Sequence, residues 1–217
     1  MRNTQEYKSL YDMCARDGCV ICRLVLENTS RYLEHWKYEL FTDVGVRQEL
    51  RRARGFCHRH TWQLARMGAS LQLAQAYRDI ISDTVERLQQ GEAVMGRFRR
   101  LKETKREQGS CPACRSEVKA EERYIHTLRR ALLEEEFYER FSTSHGLCLE
   151  HFRQASEAKV AGDWLAKLRA AQLLCLQRLD EQLGELIRKH DYRFRDEPHG
   201  PEMVSWKYAA GIVAGEE

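Results

Sequence analysis

The sequence predicts an all-α protein, a tandem-duplicated helical bundle with two CxxC…CxxH metal-binding knuckles. Three observations support this prediction. The 217-residue chain has only three prolines and is rich in Leu, Ala, Glu, Arg and Gln, a composition typical of helices. Apolar residues recur at helical spacing over long stretches of the chain. A CxxC followed by a CxxH occurs twice, in the same order and at nearly equal spacing.

Caps and glycines set the helix boundaries of the first half. Thr4 can cap a first helix through QEYKSLYDMCAR, which Gly18 ends. The next helix carries Leu33 and Trp36 on one apolar face, and Asp43 can cap a short helix after it. Further helices are predicted over Cys57–Met67, Ser70–Gln90 and Glu92–Arg106.

The second half repeats this order of helices. Four predicted helical segments follow one another in the order of their counterparts in the first half: RSEVKAEERYIHTLRRALL, EEFYERF, LCLEHFRQA and AGDWLAKLRAAQLLCLQRLDEQLGELIRKH. The tail has no counterpart in the first half, and Pro201 predicts a last short helix through Trp206 and Ile212. We therefore predict a first metal-binding helical repeat over 1–106, a second over 107–190 and a non-repeated tail over 191–217.

The repeated cysteines and histidines are the candidate metal ligands. The two halves agree in register to within one residue, and an Arg follows each CxxC. Chance agreement at this many positions is improbable, which indicates a tandem duplication. The eight residues are Cys19, Cys22, Cys57, His60, Cys111, Cys114, Cys148 and His151.

Thiolate and imidazole in this pattern favour structural zinc. Two thiolates in a tight turn bind one ion, and a second pair completes a tetrahedron. Four protein ligands leave no open position for a catalytic water. We therefore predict two Zn²⁺ ions per chain. An iron–sulfur cluster stays open as the alternative, because Cys with one His also holds such clusters.

The pairing of the motifs is open on sequence alone. The CxxC of Cys19 and Cys22 can close a site with the CxxH of its own half or with that of the other half. Loop closure favours the shorter connection slightly, so we expect each site to lie within one half. His58 stands between two ligands, but Leu149 replaces it in the second half, so His58 is predicted not to bind.

Four further residues border the motifs or fall outside them. Arg23 and Arg115 follow the CxxC motifs and either stabilise the thiolates or lie exposed on their helices. Cys14 and Cys175 are outside the repeated pattern and are predicted to pack in helix cores.

The tail offers a second candidate site. Its aromatic and guanidinium groups suit an anionic ligand, an RNA base or a protein partner. The alternative is a segment that only covers the end of the bundle. The residues of this possible ligand or partner surface are His190, Asp191, Tyr192, Arg193, Arg195 and Trp206.

Charge and hydropathy limit the expected cellular location and the expected classes of partner. No apolar run approaches twenty residues, so no membrane span is expected. The first residues lack the apolar core of a secretory signal, which predicts a cytoplasmic location. The net charge is +3, and the Arg clusters alternate with Glu, so nucleic-acid binding has weak support.

The motifs resemble those of an uncharacterised prokaryotic family, a domain of unknown function, over nearly the whole chain. Its members share a CPxC start, an RGFCxxH-type element, a second CPxC and CxxH pair, and a KHDYRF-type segment followed by a Trp. The eight candidate ligands, His190 to Phe194 and Trp206 match. Val20 replaces the more usual Pro, which should change the stiffness of the turn more than ligation. The resemblance implies a shared metal-binding helical fold and no activity.

The leading hypothesis is a non-enzymatic interaction or adaptor protein with protein partners and two structural zinc sites. No phosphate-binding loop or nucleophile elbow is present in the sequence. Three other hypotheses remain: an iron–sulfur protein for electron transfer or redox sensing, a nucleic-acid-binding regulator that uses the Arg-rich helices, and an enzyme that uses the tail residues.

Overall fold

The structure is all-α in the part of the chain that it describes, which confirms the predicted fold class. The predicted helix Glu92–Arg106 and the tail residue Arg195 lie outside the described residues. The computed structural model describes residues 4–91, 111–157, 162–194 and 196–216.

Ten α-helices cover most of the described residues, and short 3₁₀ helices at Leu40–Thr42, Tyr192–Phe194 and Pro201–Val204 join some of them. A helix with a CxxC at its start, a short helix, a helix with a CxxH at its start and a long helix follow one another twice. The helices are α1 (Gln5–Met13), α2 (Val20–Tyr38), α3 (Val44–Ala53), α4 (His58–Arg66), α5 (Ser70–Gln89), α6 (Pro112–Ala131), α7 (Glu135–Ser142), α8 (Leu149–Ser156), α9 (Asp163–Lys189) and α10 (Ser205–Ala214).

The predicted N-caps are formed. The Thr4 side chain accepts a hydrogen bond from the backbone N–H of Tyr7 at 3.3 Å, which satisfies a free donor of the first turn of α1. Asp43 does the same for Val46 at 2.8 Å and so starts α3. Helix α1 ends at Met13, earlier than the sequence segment through Arg16 suggested.

The chain divides into two compact units. One consists of Met1–Leu26 with Ala120–Glu217, and the other of Glu27–Lys119. The unit boundaries therefore fall inside α2 and inside α6. This division follows packing, whereas the predicted parts 1–106, 107–190 and 191–217 follow the recurrence of the motifs.

The core of the Glu27–Lys119 unit is built around Trp36 of α2, whose side chain is fully buried. Its ring meets the edge of Phe56 at 5.0 Å between centroids, a favoured aromatic geometry. Leu33, one turn earlier on α2, and Leu64 of α4 complete this buried centre. Helical spacing thus puts the predicted apolar face of α2 into the core.

The core of the unit of Met1–Leu26 and Ala120–Glu217 forms where α1, α6, α7 and α9 meet. Phe137 of α7 packs on Tyr7 of α1 at 5.5 Å between ring centroids. Cys14 and Cys175 are buried, as predicted for cysteines outside the motifs. Burial in apolar surroundings raises the pKa of the Cys14 thiol to about 12, so this thiol stays neutral and acts as a small apolar side chain.

A search of the described helices for a bilayer-spanning segment is negative. Each described helix is either too short or too polar to span one.

Candidate metal centres

The eight predicted ligands come together in two groups of four, each within a single compact unit. The ligand atoms of each group all lie within 4.8 Å of one another, so each group can hold one metal ion. We call Cys19, Cys22, Cys148 and His151 site 1, and Cys57, His60, Cys111 and Cys114 site 2.

The expectation that each site lies within one half of the sequence is wrong. Each CxxC joins the CxxH of the other half. Helix length explains this. Helix α2 has 19 residues and is about 28 Å long, whereas α3 has 10 residues and could retrace at most about 15 Å of that length. In the second half, the 20 residues of α6 and the 8 of α7 leave a larger difference.

Every motif sits at the amino-terminal end of a helix. Cys19 and Cys111 precede the first residues of α2 and α6, and Cys57 and Cys148 are the N-cap residues of α4 and α8. Each site therefore faces two helix N-termini, whose partial positive charge stabilises thiolates. The i, i+3 spacing of CxxC and CxxH puts both side chains of a motif on the same side of the helix end.

A glycine two residues before each CxxH cysteine makes the turn into that helix. Gly55 has a φ of +98° and Gly146 a φ of +73°, a region that L-residues rarely occupy. A Cβ atom would also press on Tyr77 at Gly55 and on Gln172 at Gly146. Gln172 itself binds both backbone polar groups of Leu147, which holds the turn beside Cys148.

The atoms of site 1 have the spacing of a single tetrahedral centre. Cys19, Cys22 and Cys148 place their sulfurs 3.5, 3.3 and 3.1 Å from Nδ1 of His151. The sulfurs of Cys22 and Cys148 are 3.7 Å apart. With Zn–S of about 2.3 Å and Zn–N of about 2.0–2.1 Å, a tetrahedron separates its ligand atoms by about 3.5–3.8 Å. All four side chains of site 1 are buried.

Site 2 has the same geometry with a different exposure. Cys57, Cys111 and Cys114 place their sulfurs 3.2, 3.6 and 3.5 Å from Nδ1 of His60. The sulfurs of Cys57 and Cys114 are 3.7 Å apart. Three of the four side chains are buried, and that of Cys57 is partly exposed.

Both ligand histidines bind a carboxylate through the other ring nitrogen. Nε2 of His60 lies 3.0 Å from Glu117, and Nε2 of His151 lies 2.7 Å from Glu121. The carboxylate accepts the Nε2–H bond and so leaves Nδ1 as the nitrogen that faces the thiolates. The hydroxyl of Thr29 and the guanidinium of Arg59 also bind Glu117.

The sequence reasoning missed these two carboxylates. It assigned neither Glu117 nor Glu121 a role at a metal site. A metal-bound His usually has a carboxylate or carbonyl partner, so an acid near each site was to be expected in general. The position of each acid could not be predicted, because Glu117 and Glu121 lie on one helix but serve different sites.

The environment of the ligand histidines makes metal affinity depend on pH. Burial opposes the charged form, but hydrogen bonds to cysteine and to the carboxylate outweigh it. They raise the pKa of His60 to about 9 and that of His151 to about 11. Below these values each imidazole holds a proton that an incoming metal ion must displace, so apparent metal affinity falls as the pH falls.

Replacing Glu117 or Glu121 with Ala should weaken one site each. We expect a loss of roughly 10–100-fold in metal affinity, because the imidazole loses the partner that orients it. Glu117→Ala should affect site 2 and Glu121→Ala site 1. Competition with a chromogenic chelator measures this. Glu122→Ala is the matched control, since Glu122 is an exposed acid on the same helix, and equal affinities in all three variants would contradict the role of the carboxylates.

The arginines and the histidine beside the motifs do not join the ligand groups. His58 is exposed and packs against Trp62, with ring centroids 6.3 Å apart. Arg23 binds the carbonyl of Asp17 and the carboxylate of Glu216. Arg115 pairs with Glu49. Both arginines thus pair with oxygen atoms.

The described residues of the tail fold back on α9. His190 binds the carbonyl of Leu186 at 2.9 Å through Nδ1, and Arg193 pairs with Asp191. Tyr192 is 81% exposed and Trp206 55% exposed. These two rings are the part of the predicted surface that presents apolar area to solvent, while the charged residues mainly bind one another.

Comparison with known proteins yields one family and one distant relative. Residues 14–207 match a family described as "Family of unknown function (DUF6062)", a span that includes all eight ligands. A protein of Caldicellulosiruptor sp. (strain Rt8B.4), named "Uncharacterized 23.9 kDa protein in xynA 3'region", is 22% identical over 206 residues. The alignment covers 92% of this chain and 96% of that protein. No solved structure matches significantly.

Proposed function

Because the chain belongs to this family of unknown function, we propose a function from its two ligand groups: a helical interaction or adaptor protein held together by two structural zinc ions. The observation that carries the proposal is the pair of groups of three cysteines and one histidine, in which seven of the eight side chains are buried. Each group supplies four protein ligands, so a bound zinc ion has no open position for substrate or water. The metal then acts on folding rather than on catalysis.

The spacing of the ligand atoms supports one ion per site over an iron–sulfur cluster. A cluster contains several irons bridged by sulfide, and each iron takes its own protein ligands, so these lie further apart than ligands of one ion. The S–N and S–S separations of 3.1–3.7 Å within the two groups suit the edges of a single tetrahedron. Zinc is the ion that most often takes such a set.

Protein partners are the binding class that the surface supports best. Tyr192 and Trp206 expose large aromatic area, and aromatic residues are enriched at protein interfaces. The Arg-rich helix α3 supports nucleic acid less, because its Arg47 pairs with Asp79 at 2.6 Å and its Arg51 pairs with Asp83. These pairs neutralise the charge that phosphate contacts require.

A tandem duplication is part of the same proposal. The recurring order of helices supports it, with repeats over 1–106 and 107–190 and the tail over 191–217. We also propose a cytoplasmic location. All eight cysteines lie in the described residues and none forms a disulfide, and thiolate metal sites persist where cysteines are kept reduced.

Metal analysis tests the structural part of the proposal. Protein purified both aerobically and anaerobically should contain about two zinc ions per chain and have no visible absorbance band. Brown protein with acid-labile sulfide would instead identify iron–sulfur clusters. Mononuclear iron in both sites would keep the ligand assignment and overturn zinc as the metal.

The adaptor role is tested by partner capture with a matched surface control. A Tyr192→Ala, Trp206→Ala variant should lose a partner that the wild type retains in quantitative cross-linking, with unchanged metal content. Tyr38→Ala removes another exposed ring, outside the tail, and should retain the partner. Identical partners for all three proteins would contradict the tail as the interaction surface.

A further inference from the structure

The two sites differ in how well their sulfurs are shielded. All three cysteines of site 1 are buried, with exposed fractions of 0%, 7% and 2% for Cys19, Cys22 and Cys148. In site 2, Cys111 and Cys114 are equally buried, but Cys57 is partly exposed. A reagent in solution therefore reaches a ligand sulfur of site 2 more easily than one of site 1.

The carboxyl-terminal residues shield site 1. The carboxylate of Glu216 accepts a hydrogen bond from the backbone N–H of Cys19 at 3.3 Å and pairs with Arg23 at 3.3 Å. Two glycines make room for this carboxylate, because a Cβ on Gly18 or Gly211 would clash with its oxygen. Glu216 thereby fastens the end of the chain over the CxxC turn of site 1.

The backbone of Gly215, next to Glu216, also shields a ligand sulfur of site 1. A Cβ at Gly215 would lie 3.8 Å from the sulfur of Cys22, so the backbone here packs against that thiolate. The nearby Tyr208 of α10 meets His145 edge to face, with ring centroids 4.1 Å apart, and His145 accepts a hydrogen bond from the N–H of Gly18. The end of α10 and the turn before Cys19 are thus joined by several contacts.

We propose that Cys57 is a site of oxidative modification by hydroperoxides, through which site 2 releases its metal ion while site 1 retains its own. The inference rests on the proposed function, because it requires a metal-bound thiolate at each site. Metal coordination keeps a cysteine as the thiolate, which is the nucleophilic form. Accessibility then decides which thiolate reacts first, and Cys57 is the partly exposed one.

The chemistry balances with a hydroperoxide as the only oxidant. The thiolate of Cys57 attacks one peroxide oxygen, so an S–O bond forms, the O–O bond breaks and hydroxide or alkoxide leaves. The thiolate of Cys114 then attacks the sulfenic sulfur, an S–S bond forms and hydroxide leaves. Two electrons pass from the two sulfurs to the peroxide.

Geometry selects Cys114 as the second sulfur. The sulfurs of Cys57 and Cys114 are 3.7 Å apart and must approach to the about 2.05 Å of a disulfide. The metal is then left with Cys111 and His60 and dissociates, because these two ligands no longer complete a tetrahedron. Site 1 has a sulfur pair at the same 3.7 Å, Cys22 and Cys148, but both are buried.

Peroxide titration of the metal-loaded 217-residue chain tests the proposal. Metal content is measured first, and fewer than two ions per chain at this stage would defeat the proposed function rather than this inference. Hydrogen peroxide is then added while a chromogenic chelator reports released metal and mass spectrometry maps each cysteine. We expect loss of one of the two metal equivalents, together with a Cys57–Cys114 disulfide, before site 1 reacts. Simultaneous release from both sites, or release without that disulfide, would overturn the proposal.

Replacing Glu216, the residue that covers site 1, provides a second, independent measurement. In Glu216→Ala, peroxide should release the site 1 metal at nearly the rate at which it releases the site 2 metal, because Cys19 and Cys22 are no longer shielded. Glu157→Ala removes an exposed, ion-paired acid of the same unit and should leave both phases unchanged. Unchanged release from site 1 in Glu216→Ala would overturn the shielding role of Glu216.

Discussion

Replacing Cys22 and Cys57 together should remove both metal ions, whereas replacing Cys57 and Cys114 together should remove only one. In the structure, Cys22 belongs to site 1, and Cys57 and Cys114 both belong to site 2. A site that loses one of four ligands binds zinc far more weakly, so each damaged site should be empty after purification. Serine is the replacement of choice, because it keeps the size of the side chain and removes the thiolate.

The same two variants distinguish the two possible pairings. If each site closed within one half of the sequence, the outcome would be reversed, with one ion kept by Cys22→Ser, Cys57→Ser and none by Cys57→Ser, Cys114→Ser. Metal per chain by mass spectrometry is the measurement. Cys14→Ser is the control for thiol loss in the core, since Cys14 is buried but lies outside both sites, and it should keep two ions.

Removing the metal ions should unfold the chain. Structural zinc contributes about 10–16 kcal/mol in small zinc-binding peptides, which is comparable to the whole stability of a typical domain, about 5–15 kcal/mol. The cysteines of site 1 and those of site 2 form part of the two hydrophobic cores. Without a cation, three thiolates in such a core would repel one another, so they take up protons and the bonds through the metal that tie the helices together are lost.

Circular dichroism during chelation measures this effect. Helical signal and cooperative thermal unfolding should both decrease as a zinc chelator removes the metal, and both should recover when zinc is returned. The same chelator already saturated with zinc serves as the control and should change neither. Full helicity and an unchanged melting temperature in protein shown to be free of metal would contradict a structural role for these sites.

Local patterns were sufficient for much of the fold. Thr4 and Asp43 predicted helix starts because a cap needs only the donor groups of the adjacent turn. The buried face of α2 followed from the spacing of Leu33 and Trp36 along a regular helix. The eight candidate ligands were identifiable for the same reason, since each motif places its two side chains within one turn of a helix.

The predicted pairing of the motifs was wrong because pairing depends on distances in space rather than along the chain. The entropy of loop closure treats the chain between Cys22 and Cys57 as flexible, and it then favours the shorter connection. That chain contains the rigid helix α2, which is about 28 Å long, and the shorter α3 cannot retrace that length back to Cys22. The nearest motif in sequence is therefore not the nearest in space.

The sequence by itself determined the helical class, the helix starts and which cysteines and histidines act in pairs, because these depend on interactions within one or two turns. Only the tertiary structure decided which pairs share a site, that Glu117 and Glu121 orient the histidines, and that Glu216 covers one site while Cys57 leaves the other open. These features join residues that are far apart in the chain. Rigid helices set the distances between them, and a linear pattern does not record those distances.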